Sequence, residues 1–183
     1  MTQDTRHKIM QSAEDRIRTE GYQSFSFRTI AAELGIKSAS VHYHFATKAD
    51  LAEAVAERYV DRFFSSLEQA VEGKEAIDDR LDAYFSLFRH SLLVDRKLCL
   101  CGMLGAEVGT LPESVVPRVK SFFTRNVDWL SDLLAGRSGA RAQAVALLAS
   151  LEGALIVARA LEEDAAFEQV VLLARKQFLA AAT

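Results

Sequence analysis

Residues 25–45 read FSFRTIAAELGIKSASVHYHF, and this stretch decides how the front of the chain folds. Its apolar spacing predicts two short helices joined by a tight turn. Gly35 follows the last periodic residue of the first helix, where a left-handed residue ends a helix at no steric cost. Val41 and Phe45 of the second helix then face back toward the first. We interpret the stretch as a helix-turn-helix, the arrangement whose second helix enters the major groove of DNA.

The outer face of the second helix carries short hydroxyls, an aromatic ring and imidazoles. Such groups hydrogen-bond base edges or phosphates without blocking close approach. Residues 38–42 other than Val41 are predicted to face the bases, and Tyr43 and Lys48 to contact phosphates. The full set of candidate DNA-binding residues is Ser26, Arg28, Thr29, Lys37, Ser38, Ala39, Ser40, His42, Tyr43, His44 and Lys48.

Helical spacing continues on both sides of this pair. Residues 4–20 predict a first helix that ends at Gly21, and its apolar stripe is expected to pack on the pair as a three-helix unit. Thr47 and Asp50 form a capping box, so a further helix is predicted over 47–72. Lys48 then lies in its first turn, where a positive charge strengthens the attraction of a helix N-terminus for phosphate.

Composition favours a nearly all-helical, soluble protein. Half of the 183 residues are hydrophobic, and only two are Pro and nine Gly, too few for a turn-rich β fold. The N-terminus is polar and no apolar run approaches the roughly 20 residues that span a bilayer. We therefore expect a cytoplasmic protein with no membrane segment.

Charge is distributed unevenly along the chain. The net charge is −3, whereas residues 1–50 hold seven Lys/Arg against six Asp/Glu. The small excess of positive charge in residues 1–50 is expected if the front of the chain binds phosphate and the rear does not. Cys99 and Cys101 are too few and too close for a disulfide framework, and no zinc-ligand pattern accompanies them. We expect reduced thiols and no metal or cofactor.

Residues 76–136 predict helices with aromatic and aliphatic faces, a composition that suits an apolar or aromatic effector. Asn126 falls inside one such face, where a hydrogen-bonded core residue is the commoner interpretation. Two more helices follow over 140–163 and 165–181, the first with a stripe of Ala and Gly that another helix can approach closely. The candidate effector-binding residues are Tyr84, Phe88, Cys101, Met103, Phe122, Asn126 and Trp129.

The run from Gly21 to Leu51, GYQSFSFRTIAAELGIKSASVHYHFATKADL, resembles the N-terminal domain of the TetR family of transcriptional regulators. A glycine-aromatic turn, an IA…LGI helix, a recognition helix ending in HF and a KxxL helix start occur there in the family's order without gaps. Two positions depart from the pattern. His42 stands where the family usually has Tyr, and Ala39 where Gly or Pro is frequent, so the operator sequence is not predicted.

The resemblance implies an all-α protein with a three-helix DNA-binding domain over 1–50 and a helical effector-binding and dimerisation domain over 51–183. It also implies a homodimer formed through 140–181, which reads a palindromic operator and acts as a repressor released by a small molecule.

Three alternatives differ in function. A redox- or electrophile-sensing repressor would use Cys99 or Cys101, although we expect one thiol to face the core and the other to face outward. A small helical enzyme lacks a nucleophile, base and orienting acid at recognisable spacing. A helical interaction module without DNA would show no salt-dependent retention on DNA.

Overall fold

The computed structural model describes residues 2–180, with side-chain surroundings from Asp4 onward. All regular elements in that range are helical. A 3-10 turn at Tyr22–Ser24 follows α1, a π-helical turn at His90–Val94 continues α5, and a second 3-10 turn at Val108–Thr110 follows α6. The main helices are α1 Thr2–Glu20, α2 Phe27–Glu33, α3 Ser38–His44, α4 Lys48–Val71, α5 Ile77–Arg89, α6 Leu100–Ala106, α7 Val116–Asp132, α8 Ala140–Leu161 and α9 Asp164–Ala180. The predicted all-α fold is confirmed.

Local hydrogen bonds define both ends of α2. Ser26 is its N-cap: its Oγ accepts from the Thr29 N–H at 3.1 Å, and Thr29 Oγ1 accepts from the Ser26 N–H at 2.8 Å. At the other end Gly35 has φ +64°, and the Ile36 N–H donates to the Ala31 carbonyl at 3.0 Å. This is the glycine-ended turn expected between the two helices of the motif.

The start of α4 also follows the predicted capping box. The Thr47 N–H donates to Asp50 Oδ2 at 2.9 Å, and the Asp50 N–H donates to Thr47 Oγ1 at 3.1 Å. Two otherwise unpaired amides at the helix start are therefore satisfied. Lys48 becomes the first residue of α4, as predicted.

The helices pack into two units. Unit 1 is the chain up to Arg62 together with Leu100–Ser121, and unit 2 is Phe63–Cys99 together with the chain from Phe122 onward. Helices α4 and α7 each contribute residues to both units. This grouping follows packing, so the functional boundary predicted at residue 50 stays a prediction.

Unit 1 contains a buried ion-pair cluster between α1 and α4. The Glu14 side chain is 1% exposed, and its carboxylate lies 2.8 Å from Arg58 Nη2 and 2.6 Å from Arg62 Nη2. Arg18, one turn along α1, lies 3.7 Å away. Because a buried carboxylate without partners is costly, the arginines of α4 hold α1 at one position along that helix.

Unit 2 is built around an aromatic core and a tight α8–α9 pair. Phe85, Phe122, Phe167 and Phe178 are all fully buried. Arg89 of α5 binds both carboxylate oxygens of Glu168 of α9, at 2.7 and 2.9 Å. This two-point contact fixes the orientation of α9 on α5.

Helix α8 corrects one expectation about apolar runs. Ala140–Leu161 is long and apolar enough to cross a membrane by length and composition alone, although no such run was expected. Its inward face is buried within unit 2, and 39% of the apolar window is buried. The buried residues of α8 are Ala144, Leu147, Leu148, Leu151, Ala154, Leu155 and Ala158.

Replacing Glu14 should destabilise unit 1 strongly. Glu14→Ala leaves the guanidinium of Arg58 without its buried partner, and such changes cost about 3 kcal/mol or more. Urea unfolding followed by circular dichroism measures the loss. The control is Glu20→Ala, an exposed residue at the end of the same helix. Equal stability of the two variants would contradict a structural role for the cluster.

Candidate nucleic-acid interface and effector cluster

The outer face of α3 is exposed as the sequence predicts. Val41 is fully buried and Phe45 nearly so, whereas Tyr43 is 78% exposed, the largest exposure of any large apolar side chain among the described residues. The polar candidates lie on the open side: Lys37, Ser38, Ala39 and His42 are exposed, and Ser40 and His44 are half-buried. The helix therefore presents one continuous surface of small and hydrogen-bonding side chains.

Two ring contacts position the aromatic groups on this surface. The His42 imidazole packs edge-on against Phe27 of α2 with centroids 4.6 Å apart. The rings of Tyr43 and His44 meet at 5.1 Å. His42 is thus an exposed group whose ring is held by the other helix of the motif.

The candidates on α2 have different surroundings. Arg28 is exposed. The hydroxyls of Ser26 and Thr29 bond to each other at 3.2 Å and to the first turn of α2. Their role in the structure is to cap the start of α2.

Lys48 lies over two aromatic rings. Its Nζ is 4.4 Å from the centroid of Tyr22 and 4.6 Å from that of Phe25. Partial burial lowers the pKa of the Lys48 ammonium, and the charge of Glu107 opposes that shift. The rings hold the cation at the first turn of α4, the place where the sequence predicted a phosphate contact.

Glu107 is a residue that the sequence reasoning missed. It follows α6, and its Oε2 accepts the Tyr22 N–H at 2.9 Å. A Cβ built at Gly21, where φ is +90°, would lie 2.1 Å from Glu107 Oε1. Gly21 is therefore needed both for its backbone angle and for the close approach of this carboxylate. The two partners are 85 residues apart, so no local pattern indicates the contact.

The predicted effector residues are divided between the units. Cys101 and Met103 belong to unit 1, whereas Tyr84, Phe88, Phe122, Asn126 and Trp129 belong to unit 2. Within unit 2, Tyr84 stacks on Trp129 with centroids 5.2 Å apart and contacts Phe88 at 5.2 Å. These three rings form one aromatic cluster.

Asn126 is satisfied by hydrogen bonds inside unit 2. Its Oδ1 accepts the Tyr84 hydroxyl at 2.7 Å, and its Nδ2 donates to the Phe122 carbonyl at 2.8 Å. Burial, and to a smaller extent the charges of Glu152 and Cys99, raise the pKa of the Tyr84 phenol well above its ordinary value. Tyr84 and Asn126 therefore form a neutral hydrogen-bonded pair, the arrangement of a core Asn.

Both cysteines are buried, so the expectation that one thiol faces outward is wrong. That expectation placed the two residues on one helix, where they would point in different directions. Helix α6 begins only at Leu100, so Cys99 lies in the segment before it. Reactive cysteines are usually partly exposed, which neither sulfur is.

Three comparisons with known proteins bear on the family and the fold of this chain. A model of the N-terminal domain of "bacterial regulatory proteins, tetR family" matches residues 9–55. A nicotine-responsive transcriptional repressor of Paenarthrobacter nicotinovorans, HdnoR, is 31% identical over 94 residues. That match covers 51% of this chain and 48% of the relative, about half the length of each.

Two solved regulators share the fold over nearly the whole chain. A TetR-family regulator from Agrobacterium tumefaciens superposes with a TM-score of 0.89 and 29% identity, covering 97% of both chains. A TetR regulator from Legionella pneumophila gives a TM-score of 0.86 and 28% identity over 93% of this chain and 95% of the other.

The helix-turn-helix with an exposed α3 and a helical rear unit define a transcriptional regulator of the helix-turn-helix class. The matches with known proteins indicate one family within this class. Residues 9–55 match the DNA-binding domain of the TetR family of transcriptional regulators, and the chain shares the fold of solved TetR-family regulators over nearly its whole length. The predicted family is thereby confirmed, while the roles of individual contact residues stay predictions.

We predict different effects for the charge of Lys48 and the imidazole of His42. Lys48→Met keeps an aliphatic stem over the rings but removes a phosphate contact. Binding to all DNA sequences should weaken, and the slope of log affinity against log salt should fall by about 1. His42→Ala should instead change the preferred bases. Fluorescence anisotropy with operator and unrelated duplexes over a salt series measures both effects.

Lys74→Met is the matched control, since Lys74 is an exposed lysine in the turn after α4. It should leave the salt slope of the wild type unchanged. A Lys48→Met variant that keeps the full salt slope but prefers other bases would show that the two roles are assigned wrongly.

Proposed function

We propose that this TetR-family regulator is a cytoplasmic repressor that binds a palindromic operator as a homodimer and leaves it when a small molecule binds unit 2. The exposed polar face of α3 carries the proposal, because its side chains suit base edges and a buried face holds the helix on the motif. Occupation of a promoter by such a dimer is sufficient for repression.

Exposed aliphatic side chains support dimerisation. Among the described residues, six of the ten exposed large hydrophobics lie on α8 and α9. Ala142, Ala146 and Ala149, three members of the predicted small-residue stripe, are exposed on α8 as well. An apolar surface of this kind marks a contact with another chain, and two-fold symmetry suits a palindrome. The six residues are Val145, Ile156, Val157, Leu161, Leu172 and Leu173.

A non-covalent effector is preferred over thiol chemistry. Cys99 is 3% exposed and Cys101 is fully buried, so a reagent in solvent meets neither sulfur directly. The rings of Tyr84, Phe88 and Trp129 have the chemistry that suits an apolar or aromatic compound. Tyr84 and Phe88 are themselves buried, so the proposal requires that this cluster opens to admit the compound. The name of the P. nicotinovorans relative makes nicotine one compound to include in a screen.

Footprinting tests the DNA-binding proposal. The purified protein should protect an inverted repeat in the region upstream of its own gene, and protection should decline steeply as salt rises. The control replaces one half-site of the repeat. Protection that is independent of salt, or that needs only one half-site, would contradict recognition by a dimeric helix-turn-helix.

We predict that Gly153→Leu breaks the dimer without harming the chain's own fold. A Cβ at Gly153 meets nothing within 4 Å, and Leu is a better helix former than Gly. Overpacking a contact costs about 1–3 kcal/mol, so the dissociation constant should rise about tenfold or more. Sedimentation equilibrium at micromolar concentration gives the constant.

Ser65→Leu is the matched control, because it adds a leucine at an exposed position of α4. It should sediment as the wild type does. A wild-type protein that is already monomeric at micromolar concentration would exclude the proposed dimer.

A further inference from the structure

Glu152 of α8 carries a carboxyl group that the proposed function does not yet use. Its Oε1 is enclosed and has no hydrogen-bond partner among the described residues. The Cys99 thiol hydrogen-bonds to the carboxyl group. An enclosed acceptor without a donor costs free energy, so such an atom in a folded protein calls for an explanation.

The surroundings of this carboxyl contain no compensating cation. No Arg, Lys or His of residues 4–180 forms an ion pair with Glu152, and the groups that act on it are the Cys99 thiol and the Tyr84 phenol. The pKa of the Glu152 carboxyl is raised from 4.5 to about 7, because burial raises it by more than the thiol hydrogen bond lowers it. The group therefore ionises close to neutral pH and would bind a positive charge that reaches it.

Two further aromatic rings contact the ring of Tyr84. The phenol ring stacks on Trp129 with an interplanar angle of 18°, and Phe63 meets it edge-on at 6.3 Å. The faces of aromatic rings carry partial negative charge and attract organic cations. The Glu152 carboxyl acts on the Tyr84 phenol, and the Cζ atom of Arg80 already lies 5.5 Å from the centroid of the Trp129 ring. A carboxylate beside an aromatic ring favours a ligand with both a positive charge and apolar surface.

Glu152 lies where α8 passes from the core of unit 2 to the exposed face that we propose meets a second chain. Leu148, one turn earlier, is buried, whereas Ile156, one turn later, is 51% exposed. Glu152 as a whole is half-buried, although Oε1 is enclosed. The carboxyl thus lies at the border between the core of unit 2 and its exposed face.

We propose that Glu152 is the counter-ion for a protonated organic amine, which donates to Oε1 and packs its apolar part against Tyr84 and Trp129. This inference rests on the proposed function, since it names the chemical class of the effector. A divalent metal is a poorer occupant, because the described residues hold no group of three His, Cys, Asp or Glu side chains that could bind one. A neutral apolar compound would leave Oε1 without a donor.

Matched ligand pairs test the proposal on the full-length protein. The amines are N,N-dimethylbenzylamine and its two- and three-carbon homologues, dimethyl-2-phenylethylamine and dimethyl-3-phenylpropylamine. Each is compared with the hydrocarbon in which carbon replaces nitrogen. Binding is followed by the fluorescence of Trp129, the one tryptophan of the chain, in the absence of DNA. At least one amine should bind the wild type about tenfold more tightly than its hydrocarbon.

Glu152→Gln should abolish this preference for the amine, and Glu163→Gln, a change at an exposed glutamate, should retain it. Acidification provides a second measurement on the wild type. Lowering the pH from about 8 to about 6 protonates a carboxyl of pKa about 7, so amine affinity should fall about tenfold. The amine itself stays protonated over this range.

Three results would overturn the inference: no amine binds, amine and hydrocarbon bind equally, or affinity is independent of pH. Conversion of the dimer to monomers by Glu152→Gln would show that the carboxylate serves the contact between two chains. Footprinting is independent of these titrations. Operator protection without amine binding would therefore support the proposed DNA-binding function and contradict the amine inference. Amine binding without operator protection would support the amine inference and contradict the proposed DNA-binding function.

Discussion

The front of the molecule depends on one buried carboxylate. Glu14 places a negative charge inside unit 1, and the guanidinium groups of Arg58 and Arg62 approach it from α4. Since a charge enclosed in protein must be paired, α1 has one acceptable position on α4. The helix-turn-helix packs on α1, so the orientation of its outer face follows from this pairing. Apolar contacts alone would tolerate small slides of one helix past another.

A second constraint acts at the start of α4. Lys48 is the first residue of the helix, and the rings of Tyr22 and Phe25 hold its ammonium group. The 3-10 turn that supplies Tyr22 is fastened by Glu107 through a backbone hydrogen bond. The position of the Lys48 ammonium therefore depends on the two rings and, through Tyr22, on the Glu107 carboxylate. Because Glu107 follows α6, the position of α6 also affects the proposed phosphate contact. A displacement of that carboxylate would change the surroundings of Lys48.

Unit 2 contains a hydrogen-bonded polar pair and a carboxyl group with one oxygen that accepts no hydrogen bond. Tyr84 and Asn126 hydrogen-bond each other and remain neutral inside the aromatic core. Glu152, which acts electrostatically on the same phenol, has an oxygen without a donor. Most core polar groups that serve stability alone are paired, although Ser12 Oγ and Arg58 Nε of unit 1 also lack a partner, and binding sites often retain a group whose partner is the ligand. This contrast within one helical unit separates a structural hydrogen bond, between Tyr84 and Asn126, from a carboxyl group that is proposed to act in recognition.

Several features of this protein were predictable from sequence because they depend on interactions between residues close together in the chain. The Thr47 cap, the Gly35 turn and the alternation of buried Val41 with exposed His42 and Tyr43 depend on residues within one or two helical turns. Spacing therefore predicted them correctly, and the ordered motif identified the family. Contacts between distant segments decided the rest. Glu107 meets Tyr22 across 85 residues, Cys99 lies outside the helix that holds Cys101, and the surroundings of Glu152 come from α5, α8 and the segment before α6. Burial and electrostatic partners are properties of the folded chain, because a charge has the same sequence symbol whether it is paired, enclosed or free in water.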